Sequence, residues 1–87
     1  MRELAALKDL QTLSLYGVPL TDAGLKELAA LKRLEKLDLR FTKITDMGLK
    51  ELAGLKALAT LELAGTQVTN AGAVELKRAL PRLDIIR

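Results

Sequence analysis

The stretch TDAGLKEL occupies residues 21–28, and the chain repeats it as TDMGLKEL at residues 45–52. A more divergent copy, TNAGAVEL, follows at residues 69–76, so the spacing is 24 residues each time (45 − 21 and 69 − 45). A constant period of about 20–50 residues is typical of repeat architectures, in which each unit buries its apolar side against the next. The sequence therefore predicts a stack of similar units.

Each copy is preceded by a leucine-rich segment with a different period. LQTLSL at residues 10–15 returns as LEKLDL at 34–39 and as LATLEL at 58–63. The last two leucines of each segment alternate, which predicts a short strand with one buried face. In TDAGLKELAALK the leucines are three apart, which predicts one face of a helix. A helix that returns the chain to a parallel neighbour fits such a unit, so we expect parallel strands with the helices on the opposite side.

The residues that open each helical phrase predict how the helix begins. Thr21, Thr45 and Thr69 stand at the N-cap position, where a threonine hydroxyl accepts from a free backbone N–H. The aspartates that follow, Asp22 and Asp46, lie near the positive end of the helix dipole. The glycines of the three copies stand alone in the first turn, where we expect close packing against the neighbouring repeat, and they do not form a phosphate-binding loop.

We expect a single domain, residues 1–87, with a partial first repeat (1–20), two full repeats (21–44 and 45–68) and a terminal repeat (69–87). The last segment, LPRLDII, aligns with the earlier ones if one residue is inserted near Ala79 or Leu80. That alignment places Leu83 opposite Leu58, and Ile86 opposite Leu61.

Composition excludes several classes of protein. The 87 residues include no cysteine and no histidine, so a disulfide framework, a thiolate metal site and a histidine general base are excluded. We expect no cofactor and no metal. No apolar run approaches the length of a membrane span and the start lacks the apolar core of a signal peptide, so we expect a cytoplasmic protein without a membrane partner. The net charge of +3 is spread among acidic residues and only 2% of residues are aromatic, which argues against nucleic-acid binding.

The unit L-x-x-L-x-L-x-x-T-x-[IV]-T-D-x-G-L-x-x-L resembles the leucine-rich repeat, in the helix-containing form of ribonuclease-inhibitor-like proteins and bacterial repeat arrays. The resemblance implies an α/β solenoid, a segment of a right-handed horseshoe, with parallel strands on the concave face and helices on the convex face. The chain departs from the family pattern at one position of each turn, where Asn or Cys is usual and this sequence has Val18, Thr42 and Thr66. The threonine hydroxyls can satisfy backbone groups of the turn, but Val18 cannot.

The resemblance also implies a protein or peptide partner bound at the concave face, and no reaction. The strand side chains opposite the buried leucines form that face. From the first strand these are Thr12, Ser14 and Tyr16; from the second, Lys36, Asp38 and Arg40; from the third, Thr60, Glu62 and Ala64; and from the last, Ile85 and Arg87.

A cluster of three residues at this face, Tyr16, Arg40 and Phe41, is a predicted binding site. Tyr16 and Arg40 occupy the same column of adjacent strands, and Phe41 follows directly. Tyrosine and arginine are enriched at interface hot spots, and a guanidinium can lie on an aromatic ring. The alternative is an intramolecular stack that covers the sheet, with Phe41 folded over the edge of the core.

Asp38 and Glu62 are the one carboxylate pair that could be compared with a glycosidase site. A flat strand face offers no pocket that would raise one pKa or exclude water. We therefore interpret the two acids as solvated surface charge and expect no enzymatic activity.

The size of the face and the first strand lead to two further expectations. Four strands about 4.8 Å apart present an area well below the roughly 800 Å² that each partner contributes to a standard interface, so one chain should bind weakly. Leucines near the first strand have no preceding repeat to cover them, which predicts a homodimer through the N-terminal edge, residues 1–15. These self-association residues are Leu4, Leu7, Leu10, Leu13 and Leu15.

A structural alternative stays open. DAGLKELAALK and DMGLKELAGLK differ at only two positions, Ala23/Met47 and Ala30/Gly54. Recent duplication or idealisation would both produce such similarity. The chain would then be a repeat fragment or a consensus-like sequence with no dedicated partner.

Overall fold

The computed structural model describes residues 9–87 and contains one sheet of four parallel strands. The strands are β1 (Thr12–Ser14), β2 (Lys36–Asp38), β3 (Thr60–Glu62) and β4 (Asp84–Ile86), and they follow one another across the sheet in chain order. Residues 24 apart are register partners in every pair, as in the row Leu13, Leu37, Leu61. The predicted parallel α/β repeat architecture is confirmed.

Helices connect the strands and pack beside one another. They are α1 (Asp22–Leu28), α2 (Asp46–Leu49), which continues as a 3-10 turn at Lys50–Gly54, and α3 (Asn70–Ala79). α1 contacts α2, and α2 contacts α3. In the part of the chain that the structure describes, no helix has the length and apolarity needed to cross a membrane.

The core lies between the strands and the helices and consists almost entirely of leucine. Leu37 and Leu61 enter it from the strands, while Leu28 and Leu52 enter from the helical side, and all four are buried. Full burial of one such side chain contributes about 1.5–3 kcal/mol, so this leucine frame supplies most of the stability that keeps the strand face in place.

Two aspartates bind each repeat to the following one. Asp22 accepts the Thr45 backbone N–H at 2.8 Å through Oδ1 and the Thr45 hydroxyl at 2.6 Å through Oδ2. Asp46 accepts the same pair of groups from Thr69, at 2.8 and 2.5 Å. Each threonine also accepts from its own helix, Thr45 from the N–H of Met47 and Thr69 from that of Gly72. The aspartates therefore orient the next N-cap, a role that goes beyond the predicted effect on the helix dipole.

This arrangement explains the repeated glycine. A Cβ at Gly48 would overlap Oδ1 of Asp22, and a Cβ at Gly72 would overlap Oδ1 of Asp46. The aspartate of one repeat therefore requires glycine in the first turn of the next, which confirms the close packing expected at these positions.

The turns after the strands use the threonines as expected. The hydroxyl of Thr42 donates to the carbonyl of Leu39 at 2.7 Å, and that of Thr66 donates to Leu63 at the same distance. Val18 has only backbone bonds in this turn: its N–H donates to the carbonyl of Leu15 at 3.0 Å, and its carbonyl accepts from the N–H of Leu20 at 2.6 Å.

The register predicted for the last strand is wrong. Ile85, and not Ile86, pairs with Leu61. The inserted residue does place Leu83 where the pattern requires, since Leu83 N–H bonds Leu80 as Leu58 N–H bonds Leu55, each at 3.0 Å. One residue fewer lies between Leu83 and the start of β4 than between Leu58 and the start of β3. This missing residue restores the 24-residue register.

The corrected register changes which side chains of β4 lie on the concave surface. Ile85 packs partly buried against the core, whereas Asp84 and Ile86 are exposed. Arg87 lies elsewhere: its Nη2 donates to the Val68 carbonyl at 3.0 Å, and its Nη1 donates to Oδ1 of Asn70. Asp84 and Ile86 therefore replace Ile85 and Arg87 as the last strand's contribution to the face.

Candidate functional site

The concave surface is formed by the side chains that alternate with the buried leucines of the strands. Because residues 24 apart pair in register, they form two rows. Thr12, Lys36 and Thr60 make one row, and Ser14, Asp38 and Glu62 make the other. All six line a shallow depression in the sheet, together with Leu13 and Leu37. The predicted residues of β1 to β3 thus share one surface, and their role in binding stays a prediction.

An aromatic cluster, defined as Tyr16, Arg40 and Phe41, lies at the carboxyl ends of β1 and β2. The Cζ atom of Arg40 is 4.9 Å from the centroid of the Tyr16 ring, a cation–π distance. The Tyr16 and Phe41 rings meet edge to face, with centroids 5.3 Å apart and planes at 62°. The intramolecular stack considered for these residues is therefore present, yet Tyr16 is 54% and Phe41 55% exposed. The stack leaves both rings available to a partner.

The backbone of Phe41 adopts a conformation that disfavours side chains. Its φ is 60°, while Gly17 and Gly65, which stand one repeat before and one after, have φ of 72° and 74°. A residue with a Cβ in this left-handed region costs about 1–2 kcal/mol relative to its usual conformations. Aligned repeats carry the signal, because position 41 holds phenylalanine where the other two repeats hold glycine, whereas leucine periodicity alone does not reveal it.

The Phe41 ring packs over Gly65. A Cβ at Gly65 would come closer to the ring atoms Cδ1 and Cε1 than van der Waals contact allows. The absence of a side chain at Gly65 therefore provides the space that the ring occupies. Strained backbone of this kind is concentrated at functional sites, so the conformation of Phe41 supports a role for the cluster.

Arg40 is held by the carboxylate of Asp38. The guanidinium donates from Nε to Oδ1 at 3.0 Å and from Nη2 to Oδ2 at 2.8 Å, and the Arg40 backbone N–H adds a bond of 3.1 Å to Oδ1. The fork geometry fixes the guanidinium against the Tyr16 ring. The hydrogen bonds from Arg40 hold the pKa of Asp38 below its ordinary value, and the same bonds raise the pKa of Arg40.

Asp38 is not suited to act as a general acid. A glycosidase requires one carboxyl group whose pKa is raised so that it can donate a proton. The pKa of Asp38 moves in the opposite direction, because Arg40 stabilises the carboxylate. Within residues 9–87, no group of three acidic side chains is placed to hold a metal ion.

The residues predicted for self-association are placed unequally. Leu15 is 8% exposed and belongs to the core, so the prediction that it is uncovered is wrong. The Leu15 N–H donates to the Asp38 carbonyl at 2.8 Å. Leu10 and Leu13 are partly buried against the same core. Leu4 and Leu7 lie outside the described residues.

Comparisons with known proteins agree with this geometry. Residues 32–53 match the sequence model of the family described as Leucine Rich repeat. The solved structure of a leucine-rich repeat protein of Leptospira interrogans is similar over 100% of this chain, with a TM-score of 0.67 and 25% sequence identity. The chain spans 28% of the length of that protein. No curated protein matches the sequence.

Proposed function

We propose that this chain, which is a leucine-rich repeat protein, binds a protein or peptide through its concave strand face, with the aromatic cluster at the centre of the contact. The family and the fold are those of modules that generally bind proteins and typically do not catalyse reactions. The observation that carries the proposal is the exposed phenylalanine at position 41, kept in a strained conformation where the other repeats use glycine.

Three features of the cluster support recognition through it. Aromatic residues and arginine supply most of the energy at protein interfaces, and all three members of the cluster are of these types. The Arg40–Asp38 fork orders the Tyr16 ring before a partner arrives, which lowers the entropy lost on binding. The side chains that precede Tyr16 on the concave side of β1, Thr12 and Ser14, are small and polar, which leaves space for the backbone of a partner peptide to approach.

The size of the face limits the affinity. Four strands about 4.8 Å apart, each with roughly 10–15 Å of exposed length, present about 200–300 Å² in projection. Standard interfaces take about 800 Å² from each partner. One chain should therefore bind its partner with micromolar or weaker affinity through this face alone.

Selection from a displayed library of random 12-residue peptides tests the proposal. The immobilised chain should enrich peptides above a bead-only control. Enrichment should be lost with the double variant Tyr16→Ala/Phe41→Gly. Met47→Ala is the matched control, because Met47 is an exposed apolar residue of α2 on the opposite side of the molecule, and it should behave as wild type. If wild type enriches nothing, or if the cluster variant selects the same peptides, the concave face is not the binding surface. Such a result would favour the alternative, a repeat sequence with no dedicated partner.

Self-association is the second element of the proposal. β1 is the edge of the sheet among the described strands, and both Leu13 within it and Leu10 before it are only partly buried. Pairing of two chains at this edge would form a homodimer and double the concave surface. Sedimentation equilibrium at micromolar concentrations should show a dimer that Leu13→Lys dissociates. A monomer at every concentration, or a dimer insensitive to Leu13→Lys, would contradict this contact.

A further inference from the structure

We propose that the concave face recognises an extended, basic peptide segment, in which a lysine or arginine lies two or three residues from a large apolar side chain. The apolar side chain contacts Tyr16 and Phe41, and the basic side chain meets the carboxylate of Glu62. This inference rests on the proposed function and adds the chemistry of the partner to it.

Arg40 is already occupied by contacts within the chain. Its Nε and Nη2 bond Asp38 at 3.0 and 2.8 Å, and its Cζ lies 4.9 Å from the Tyr16 ring centroid. A partner carboxylate could take the Nε and Nη2 fork only by displacing Asp38, which is positioned in the fold and bonded at three places. Arg40 therefore orders the aromatic cluster, and its charge is already paired with that of Asp38.

Glu62 is the acid next to the aromatic cluster that stays available. Its Oε1 is 3.9 Å from Nε of Arg40, at the outer limit of an ion pair and too far for a hydrogen bond. Its side chain is 33% exposed, against 14% for Asp38, and none of its side-chain atoms takes part in a hydrogen bond among residues 9–87. The Glu62 carboxylate can thus accept charge-assisted hydrogen bonds from an incoming ammonium or guanidinium group.

The sign of the charge on the face favours a cation. The strand side chains of the concave surface include two cations, Lys36 and Arg40, and three carboxylates, Asp38, Glu62 and Asp84, which sum to −1. The whole chain carries +3. The concave face is therefore negative on a molecule that is otherwise positive, and a basic segment is attracted to this side and repelled by the rest.

The spacing of the two contacts sets the length of the partner's motif. The Tyr16 ring is 4.9 Å from Arg40 Cζ, and the Glu62 carboxylate is 3.9 Å from Arg40 Nε, on the same guanidinium. The ring and the carboxylate are consequently about 10 Å apart at most, which about three residues of extended chain span at 3.3–3.6 Å each. Side chains two positions apart point to the same side of an extended segment, and the 10 Å limit also admits a separation of about three positions, so a basic residue two or three positions from the apolar residue fits both contacts.

The experiment uses the peptides that the library selection recovers with wild-type protein. The expected result is an excess of lysine or arginine two or three positions from an aromatic or large aliphatic residue. Each of the strongest peptides is then synthesised with a fluorophore and its affinity measured by anisotropy at low and at physiological salt. Glu62→Lys should weaken the basic peptides about tenfold at low salt, and by less at physiological salt because the contact is screened. Glu75→Lys applies the same charge change on the exposed side of α3 and should change the affinity less than twofold.

The outcomes separate the two proposals. Peptides that depend on Tyr16 and Phe41 but are acidic or neutral, or that bind Glu62→Lys as well as wild type, would overturn the basic-partner inference and leave the concave binding face intact. A repeat of the selection with Glu62→Lys as bait should shift the recovered peptides from basic to acidic. Failure of wild type to recover any peptide would overturn the proposed function itself. Far-ultraviolet circular dichroism and urea midpoints of each variant show that the fold is retained.

Discussion

The contact between Phe41 and Gly65 predicts a measurable coupling between two repeats. In wild type, Gly65→Ala places a methyl group where the Phe41 ring lies and also puts a Cβ at φ of 74°. The left-handed backbone costs about 1–2 kcal/mol, and overpacking of a filled site costs about 1–3 kcal/mol. The free energy of unfolding should therefore fall by about 2–5 kcal/mol, a large fraction of the total for a small domain.

The same substitution should cost less when the ring is absent. In a Phe41→Gly background the overlap disappears and only the backbone cost of about 1–2 kcal/mol is left. Phe41→Gly alone should stay within about 1 kcal/mol of wild type, because relief of its own left-handed backbone offsets the lost aromatic contact and the greater freedom of glycine in the unfolded chain. A double-mutant cycle should thus give a coupling of about 1–3 kcal/mol.

Urea unfolding followed by circular dichroism measures all four proteins. Equal slopes of free energy against urea would show that the variants differ in stability and not in the surface exposed on unfolding. Ala53→Gly, in the 3-10 turn of the third repeat, provides a reference for an ordinary glycine substitution. A cost of Gly65→Ala that is the same in both backgrounds, within about 0.5 kcal/mol, would refute the position assigned to the Phe41 ring.

Other predictions concern the links between repeats. Gly48→Ala should displace the Asp22 carboxylate and break its two bonds to Thr45, which should lower the free energy of unfolding by about 1–3 kcal/mol in the same urea assay. Gly54→Ala is the control, because its Cβ would meet only Lys32 Nζ at 3.5 Å, and it should be neutral or stabilising. The pKa values of Asp46 and Asp38 are lowered in the folded protein, chiefly by the bonds from Thr69 and Arg40. Their stabilising effect should be complete above the ordinary aspartate pKa of about 3.9 and should be lost as the pH falls through the lower folded values. Urea midpoints measured from about pH 6 to pH 2 should therefore fall less steeply for Asp46→Asn than for wild type, and parallel curves would contradict the assignment.

The fold was predictable because two periods coexist in each repeat. Alternating leucines such as Leu37 and Leu39 have one plausible use, a strand with a buried face, and both are buried as expected. The cap bonds of Thr45 and Thr69 were predictable from local preference alone, since they involve residues two or three positions away. Thr21 stands at the N-cap of α1 but makes no side-chain cap bond, so the hydroxyl bond predicted for it is wrong.

Contacts between repeats were harder to predict. An aspartate in a first helical turn is already explained by the helix dipole, so the sequence gives no reason to look for a second partner 23 residues later. The register of β4 was missed because an added residue near Leu80 and a missing residue after Leu83 compensate for each other. Either change alone would have shifted the strand by one position and reversed which side chains face the core.

Position 41 bears on the choice between a binding module and an idealised repeat without a partner. An idealised sequence would carry the residue that suits its backbone best, and at this position two repeats carry glycine with φ near 70°. Phe41 departs from that choice: its left-handed backbone costs about 1–2 kcal/mol, its aromatic contacts about offset that cost, and its ring is more than half exposed beside Tyr16. Neither the core nor the turn requires the ring, because the equivalent turns form without one at Gly17 and Gly65. Because stability does not prefer phenylalanine to glycine at this position, recognition explains the exposed ring better, and the strained phenylalanine favours the binding module over a repeat sequence with no dedicated partner.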